Sequence, residues 1–411
     1  VTGIACGGAT VVVPIYLGEV SPAHLRGTLG CCNHLMMVFG MFVAQVLGMP
    51  ALLGSLTGWP FVLAFPIAPA LLQLFLQPLL IESPKWYAVL GNELMAEDLL
   101  VQLRDRPDFD PELQEELYCM FSSVHRNKEV RPGLLSRNSS SSVLSAALNG
   151  DSFSSGDGSF GKLSATRLAS FANGKDRSER SGSERSLTSC TSSGSKSLLA
   201  AAVSNPAVRR AVFVCVSCML LLHMSGINNV FAFSTTFLRR NGLDETACAH
   251  IAIAMNAANV IATLAAAVLM DKVGRRPLLL CSIVCMASSA SLLTFTLGYP
   301  GASWVTLPCL WSISLFVFGF GIGLGPVAGL LPAEMFPAQY LAAGSRVAWS
   351  VAWLANFITA QLFLSQLKWF GSRLFVPHIV VLVLGLFFTL TNVLETRGKS
   401  LLQIEREMSN T

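Results

Sequence analysis

The chain has 411 residues, of which 52% are hydrophobic and 13% are charged, and its formal net charge is +4. Its mean hydropathy is +0.57. This composition excludes an ordinary soluble domain, which needs more polar surface, and the dispersed basic residues do not form a nucleic-acid-binding stripe.

Nine apolar segments are long enough to cross a bilayer, because a helix needs roughly 20 apolar residues to span the hydrocarbon core. They cover residues 1–18, 27–48, 59–80, 208–237, 249–270, 277–298, 304–332, 342–366 and 374–394. The first segment starts at Val1, without a methionine or a signal-peptide n-region, so we expect a fragment that lacks an N-terminal part. The eleven cysteines lie mostly inside apolar runs without metal-ligand spacing, and no metal site is predicted.

The apolar segments fall into two groups, which predicts two transmembrane halves. Residues 1–81 belong to the first half and 207–394 to the second, with a linker at 82–206 and a tail at 395–411. Retention of Lys and Arg on the cytoplasmic side places the linker and the tail inside the cell. Short helices are expected at 92–121, where leucines recur at helical spacing.

The linker contains a serine-rich insert, residues 122–200, with Gly, Asn, Lys, Arg and Glu between the serines. Such a segment buries too little apolar surface to offset its chain entropy, so we expect disorder. Arginines that precede serines suit basic-directed kinases as partners. A solvated spacer without a regulatory role is the alternative.

Five charged clusters lie at the ends of predicted spans, all on the same predicted face of the membrane. They begin at Glu19, Glu82, Asp271, Glu334 and Glu395. Buried charges without partners are unfavourable by several kcal/mol, so we expect these groups to face one another rather than lipid.

Polar side chains inside the apolar segments predict a solute pathway. A sugar would exchange its water for amides, hydroxyls and imidazoles in an otherwise apolar cavity. The candidates are Asn33, His34, Gln45, His223, Ser225, Asn228, Asn229, Asn259 and Asn356. Polar side chains also join membrane helices to one another, and for each single residue that role is equally open.

The charged clusters occur together with two further motifs, Ser225-Gly226-Ile227-Asn228 and Gly323-Leu324-Gly325-Pro326. In order and spacing, this set resembles the sugar porter branch of the major facilitator superfamily, which includes the facilitative glucose transporters. The resemblance covers nearly the whole chain outside the insert. It implies an all-α polytopic fold of twelve helices, of which this chain would lack about the first three. The first half would then hold helices four to six and the second half helices seven to twelve.

The resemblance also implies alternating access with a cytoplasmic gate. In the outward-open state, residues of the first half would engage residues of the second. The expected gate residues are Glu19, Arg26 and Glu82 with Arg275, Arg276, Glu334 and Glu395. This chain departs from the family pattern at Leu341, Ile81 and Lys85, where Arg, Pro and Arg are usual, which predicts a weaker gate.

For the sugar site, the resemblance supports Asn228 and Asn259 at matching positions, and we add His34, His223 and Asn229 as candidates. Five positions depart from glucose-selective members of the family. His34 and the pair Leu222 and His223 replace glutamines, Gly329 replaces a Trp, and Ala352 replaces an Asn. Glucose as the substrate is therefore not assured, and another hexose or a polyol stays open.

The predicted function is transport of a hexose-like sugar by facilitated diffusion, because no coupling carboxylate lies within the spans. The alternatives are a proton-coupled sugar or polyol transporter and a membrane sensor that binds solute without moving it. No nucleophile and base occur at catalytic spacing, so we predict neither an enzyme nor a cofactor. The expected location is the plasma membrane, with a lipid bilayer and a small solute as partners.

Overall fold

The structure is a computed structural model. It describes residues 2–22, 25–49, 51–105, 110, 113–118, 120–121, 198, 200–203, 205–231, 234, 244–299, 304–337, 340–399 and 401–410. The chain divides into two compact units, one of residues 1–120 with 198–411, and one of residues 121–197. The serine-rich insert and its predicted kinase sites lie almost entirely outside the described residues.

Three apolar spans make up the first half. They form α1 (Thr2–Val20), α2 (Arg26–Leu47), and a third span that contains α3 (Trp59–Ala64), α4 (Ile67–Leu76) and a 3-10 turn (Gln77–Leu79). The third span is interrupted at Pro66, which has no backbone N–H and whose ring collides with the preceding turn of a helix. Its large side chains are exposed, for example Phe75 at 84% and Leu79 at 75%. Such a surface is suited to hydrocarbon rather than to water.

Two short helices follow, α5 (Pro84–Leu90) and α6 (Glu93–Arg104), of which α6 lies in the range 92–121 where short helices were expected. The side chain of Arg104 binds both carboxylate oxygens of Glu116, at 3.0 and 2.6 Å. It also donates to the carbonyl of Val20 at 2.8 Å. Because the last carbonyls of a helix have no partner within the helix, this contact holds α6 against the end of α1.

The second half is formed by longer helices and ends in a short amphipathic helix. They are α7 (Pro206–Met224), α8 (Glu245–Val273), α9 (Arg275–Leu297), α10 (Thr306–Gly319), a π-helical segment (Phe320–Leu324), α11 (Gly325–Met335), α12 (Leu341–Phe370), α13 (Val376–Asn392) and α14 (Leu401–Asn410).

The described residues contain one candidate membrane span fewer than the nine that the sequence predicts. Within the described residues, eight helical runs are long and apolar enough to cross a membrane, and α13 adds a shorter apolar helix. Each of the nine predicted segments overlaps one of these nine runs. The part of the chain that the structure describes contains helices and no strand. The chain is therefore an all-α, multi-pass membrane protein.

The core lies in the second half, where side chains from α7, α9 and α10 are fully buried. Met219, Ile283 and Phe316 have no exposed surface. Hydrocarbon solvates such side chains as well as protein does, so close packing and polar contacts hold the helices together. Gly323 permits such an approach, because a Cβ there would collide with the carbonyl of Leu278.

α2 joins the first half to the second by packing along α8 and α11. Two of its glycines make the approach possible. A Cβ on Gly27 would collide with Asp271 and Arg275, and one on Gly30 would collide with Leu330. The first half therefore contacts the second through a surface that admits only small residues.

Candidate functional site

The π-helical segment between α10 and α11 lies against two of the predicted sugar-binding side chains. A Cβ on Gly325 would lie 2.5 Å from Nε2 of His34, and one on Gly321 would lie 2.6 Å from Oδ1 of Asn259. The ring of His34 also packs against Phe320, with centroids 6.0 Å apart. Glycines thus provide the space into which polar groups from α2 and α8 project.

Asn259 is buried, His34 is half-buried, and each has buried polar atoms without a partner. Asn259 has no exposed surface. Among the described residues, neither atom of its amide has a hydrogen-bond partner, and the same holds for Nε2 of His34. Buried polar groups in native proteins nearly always have partners, so these three atoms leave a demand for hydrogen bonds that a polar solute meets.

Ser282 of α9 stabilises the π-helical segment. Its hydroxyl donates to the carbonyl of Gly319 at 2.6 Å and accepts from the N–H of Leu324 at 2.9 Å. A π-helical turn interrupts the regular hydrogen-bond ladder, and one side chain here pairs with a donor and an acceptor at its two ends. The π-helical segment is therefore stabilised by hydrogen bonds from a neighbouring helix.

A second group of candidates lies where α7 is interrupted. Gly226 has φ +90°, a left-handed conformation that L side chains rarely adopt. The chain then returns to helix, with Asn228 exposed and Asn229 buried. Asn228 donates to Oδ1 of Asn356 on α12 at 2.6 Å. His223 is half-buried and lies just before the interruption.

The four predicted gate residues of the second half lie together, and two of them, Arg275 and Glu334, form a buried ion pair. The guanidinium of Arg275 binds Glu334, with an Nη2 to Oε1 distance of 2.8 Å, and both groups are 6% exposed. The carboxylate of Glu395 accepts the backbone N–H groups of Arg275 and Arg276, at 2.9 and 3.0 Å. These contacts tie the start of α9 to the end of α11 and to the segment after α13.

The first-half gate residues are bound differently from the prediction. Glu19 pairs with Lys85 at 3.3 Å and accepts from the hydroxyl of Ser83 at 2.7 Å. Glu82 accepts the N–H of Ser83 at 3.4 Å. In this structure Glu19 thus pairs within the first half, because α5 carries the nearer cation. Arg26 begins α2, but its side chain lies outside the described residues.

The contact between the halves depends on residues that the predicted gate did not include. Oδ2 of Asp271 accepts from the backbone N–H of Thr28 at 3.0 Å and from its hydroxyl at 2.6 Å. The other oxygen of Asp271 pairs with Arg275 at 3.3 Å. The charged cluster at the start of α9 pointed to Asp271, whereas Thr28 has no distinctive sequence signal.

Trp349 of α12 is a second residue that the sequence prediction missed. Its indole atoms Cη2 and Cζ2 lie 3.6 Å from the position that a Cβ on Gly329 would occupy. Gly329 is the position at which a Trp was expected from the resemblance. An aromatic ring therefore lies beside this position, contributed by a different helix.

The matching family model is described as "Sugar (and other) transporter" and covers residues 1–153 and 162–408. A similar protein is the facilitated glucose transporter member 3 of Ovis aries, 28% identical over 408 residues that cover 99% of this chain and 68% of the relative. Another is member 4 of Mus musculus, 30% identical over 414 residues that cover the whole chain and 67% of the relative.

Among solved structures, the proton:xylose symporter XylE bound to 6-bromo-6-deoxy-D-glucose has a TM-score of 0.69 at 20% identity. A double-tryptophan mutant of XylE has a TM-score of 0.72 at 21% identity. Each alignment covers 99% of this chain and 72% of the other. At this level of identity, the similarity establishes the fold.

The apolar helices, the interrupted spans and the structural neighbours define a transporter fold of the major facilitator superfamily, sugar porter branch. The chain belongs to the sugar (and other) transporter family, as the match along nearly its whole length shows.

Proposed function

We propose that the protein moves a hexose-like sugar across the membrane by facilitated diffusion, through alternating access of its two halves. The observation that carries this proposal is the set of buried, unpaired polar atoms on two side chains beside the π-helical segment. The amide of Asn259 and Nε2 of His34 have no partner among the described residues. Sugar hydroxyls both donate and accept, so a hexose satisfies an amide and an imidazole together.

Asn228 is proposed as a third sugar ligand, because it is exposed and its amide reaches Asn356 across the gap between α7 and α12. His223 is proposed on the same side of the interruption in α7. Asn229 differs from these residues, because it is buried and its amide nitrogen is already bonded.

Facilitated diffusion is favoured over proton coupling by the position of the acidic groups. In the described spanning helices these lie in terminal turns, as with Glu19 in α1, Asp271 in α8 and Glu334 in α11. Asp and Glu are common coupling groups of proton-driven transporters, and in the described spans none lies outside these terminal turns. We propose a plasma-membrane location with a cytoplasmic C-terminus, supported by the distribution of Lys and Arg.

We propose that the contact of Thr28 with Asp271 and the Arg275 cluster form the cytoplasmic gate in its closed state. The side chains of Arg275 and Glu334 are buried, so their charges are weakly screened and the pairing depends on geometry. Opening the gate separates α2 from α8 and leaves Oδ2 of Asp271 to water, while Oδ1 keeps its pairing with Arg275. Such an exchange of partners suits an equilibrium that a bound sugar shifts.

The test is uptake of labelled glucose, fructose and sorbitol into liposomes that contain the full-length protein. Asn259→Ala is expected to lower uptake threefold to tenfold, roughly the effect of one lost hydrogen bond. Asn256→Ala is the matched control, because the amide of Asn256 donates to the carbonyl of Ala252 in its own helix at 2.9 Å. It should transport as well as the wild type.

Thermal stability distinguishes a ligand from a structural residue. Removal of an unpaired buried amide is expected to leave the stability of Asn259→Ala unchanged or raised, while transport falls.

Sugar accumulation driven by an inward proton gradient would contradict facilitated diffusion. Absence of flux for all three solutes, in folded protein that binds one of them, would support the sensor instead.

A further inference from the structure

Three buried or half-buried polar side chains meet at the end of the second half that lies far from the Arg275 cluster. Asn229 follows the interruption in α7, Gln366 lies near the end of α12, and His378 lies in the first turn of α13. Asn229 is 2% exposed and His378 is 3% exposed. Three separate helices are therefore joined by one polar cluster.

The hydrogen bonds of this cluster define the role of each atom. The amide nitrogen of Asn229 lies 3.0 Å from Oε1 of Gln366 and 2.9 Å from Nε2 of His378. Since the amide is a donor, Nε2 accepts, and the proton of the neutral imidazole lies on Nδ1. From there it donates to the carbonyl of Met224 at 3.1 Å.

His378 also fills the space at the interruption in α7. A Cβ on Gly226 would lie 2.7 to 3.0 Å from atoms of the imidazole ring. The interruption leaves the carbonyl of Met224 at the end of α7, and His378 provides its hydrogen bond. The ring thus contacts α7 on one side of the break through Met224 and on the other side through Asn229.

We propose that Asn229, Gln366 and His378 form a polar lock that positions Asn228 for sugar binding, and that His378 is its central positioning residue. Asn228 is the neighbour of Asn229 on the same helical segment, so a displaced Asn229 displaces both. The proposal rests on the proposed function, in which Asn228 is a ligand. The cluster acts without contacting the sugar, because its amide nitrogen and both ring nitrogens are already bonded.

A buried polar cluster is a specific way to hold a helix segment. Apolar packing permits many small displacements, whereas a fully bonded cluster loses hydrogen bonds when any member moves. Gly226 has a left-handed backbone, so the helical segment that follows it does not continue the hydrogen-bond ladder of α7. The lock therefore determines its orientation.

Two variants of His378 separate the two functions of the ring. In His378→Gln the side-chain amide reaches about the position of Nε2, so it keeps an acceptor for Asn229. In His378→Asn the amide reaches about the position of Nδ1 and keeps the bond to Met224. Sugar uptake by the full-length protein is expected to show a KM within twofold of the wild type for His378→Gln. For His378→Asn, KM rises roughly threefold to tenfold while kcat is unchanged.

A purely structural role for His378 would lower the amount of folded protein, and thus the maximal rate, without raising KM. Thr389→Val is the matched control, because the buried hydroxyl of Thr389 donates to the carbonyl of Gly385 within α13 at 2.7 Å. It should leave KM unchanged. Equal KM values for His378→Asn and the wild type would overturn the positioning role.

Hydrogen–deuterium exchange tests the lock without a substrate. The backbone amides of residues 227–231 should exchange roughly threefold to tenfold faster in His378→Asn than in the wild type or in His378→Gln. Unaltered exchange in His378→Asn would overturn the lock itself. If the wild type carries no sugar while exchange still responds, the proposed function fails and the lock stands.

Discussion

At the scale of single residues, three glycines around α11 differ in what surrounds them. A Cβ on Gly321 or Gly325 would approach a polar atom to 2.6 or 2.5 Å, closer than real Cβ atoms come. A Cβ on Gly329 would meet Trp349 at 3.6 Å, an ordinary van der Waals distance. All three lie close together along the chain. A comparison of their substitutions therefore distinguishes the effect of filling space at the site from the general effect of losing a glycine.

Gly325→Ala is expected to lower sugar uptake at least tenfold, because the new methyl group displaces the ring of His34 from the π-helical segment. Gly329→Ala should keep uptake within about twofold of the wild type. Initial rates of labelled hexose uptake, normalised to folded protein, measure both. Equal rates for the two variants would contradict the proposed role of His34.

At the scale of structural elements, the π-helical segment depends on Ser282. Its hydroxyl pairs with a carbonyl and an N–H at the two ends of the segment. Ser289, on the same helix and 1% exposed, instead donates to the carbonyl of Met286 within α9 at 2.9 Å. Ser282 thus stabilises a different helical element, whereas Ser289 bonds within its own helix, and the two serines can be compared.

Ser282→Ala is expected to destabilise the protein by about 1–3 kcal/mol, because it leaves a buried donor and a buried acceptor unpaired. Ser289→Ala should have an effect below about 1 kcal/mol, since its helix keeps its own ladder. Chemical unfolding in detergent micelles gives both values. A Ser282→Ala variant as stable as Ser289→Ala would show that the π-helical segment forms without this support.

At the scale of the whole molecule, the two halves meet through α2 and α8, and the charges are arranged around that contact. Arg275 and Glu334 lie within the second half, and Glu19 pairs with Lys85 within the first. Among the described residues, the hydrogen bonds between the halves at this end are those of Thr28 with Asp271 and with the carbonyl of Ala267. The buried ion pair therefore holds Asp271 in place, and Thr28 provides the contact that separates when the gate opens.

Thr28→Val is expected to reduce the population with the gate closed roughly tenfold relative to the open one, because a hydrogen bond to a carboxylate is lost. Thr28→Ser keeps the hydroxyl and should resemble the wild type. Distances between spin labels on α2 and α8, measured by double electron–electron resonance, report the populations. An unchanged distance distribution in Thr28→Val would place the gate elsewhere.

The sequence predicted the nine apolar helices and the sites of the charged clusters, because both depend on local composition. Hydrophobic length determines where a helix crosses a bilayer, and charges collect where it leaves. His34 and Asn259 were found as polar residues in apolar segments. The sequence did not show that their atoms remain unpaired, since that depends on which groups of other helices come within about 3 Å.

Membership of the membrane class and the helical fold were thus determined by the sequence alone, because the bilayer imposes length, apolarity and satisfied backbone groups on every span. Tertiary structure decided the partners. Glu19 pairs with Lys85 rather than with the second half, Thr28 meets Asp271, and His378 joins Asn229 to Met224. These contacts link residues far apart in the chain, and the geometry of helix packing, which no local pattern encodes, brings them within bonding distance.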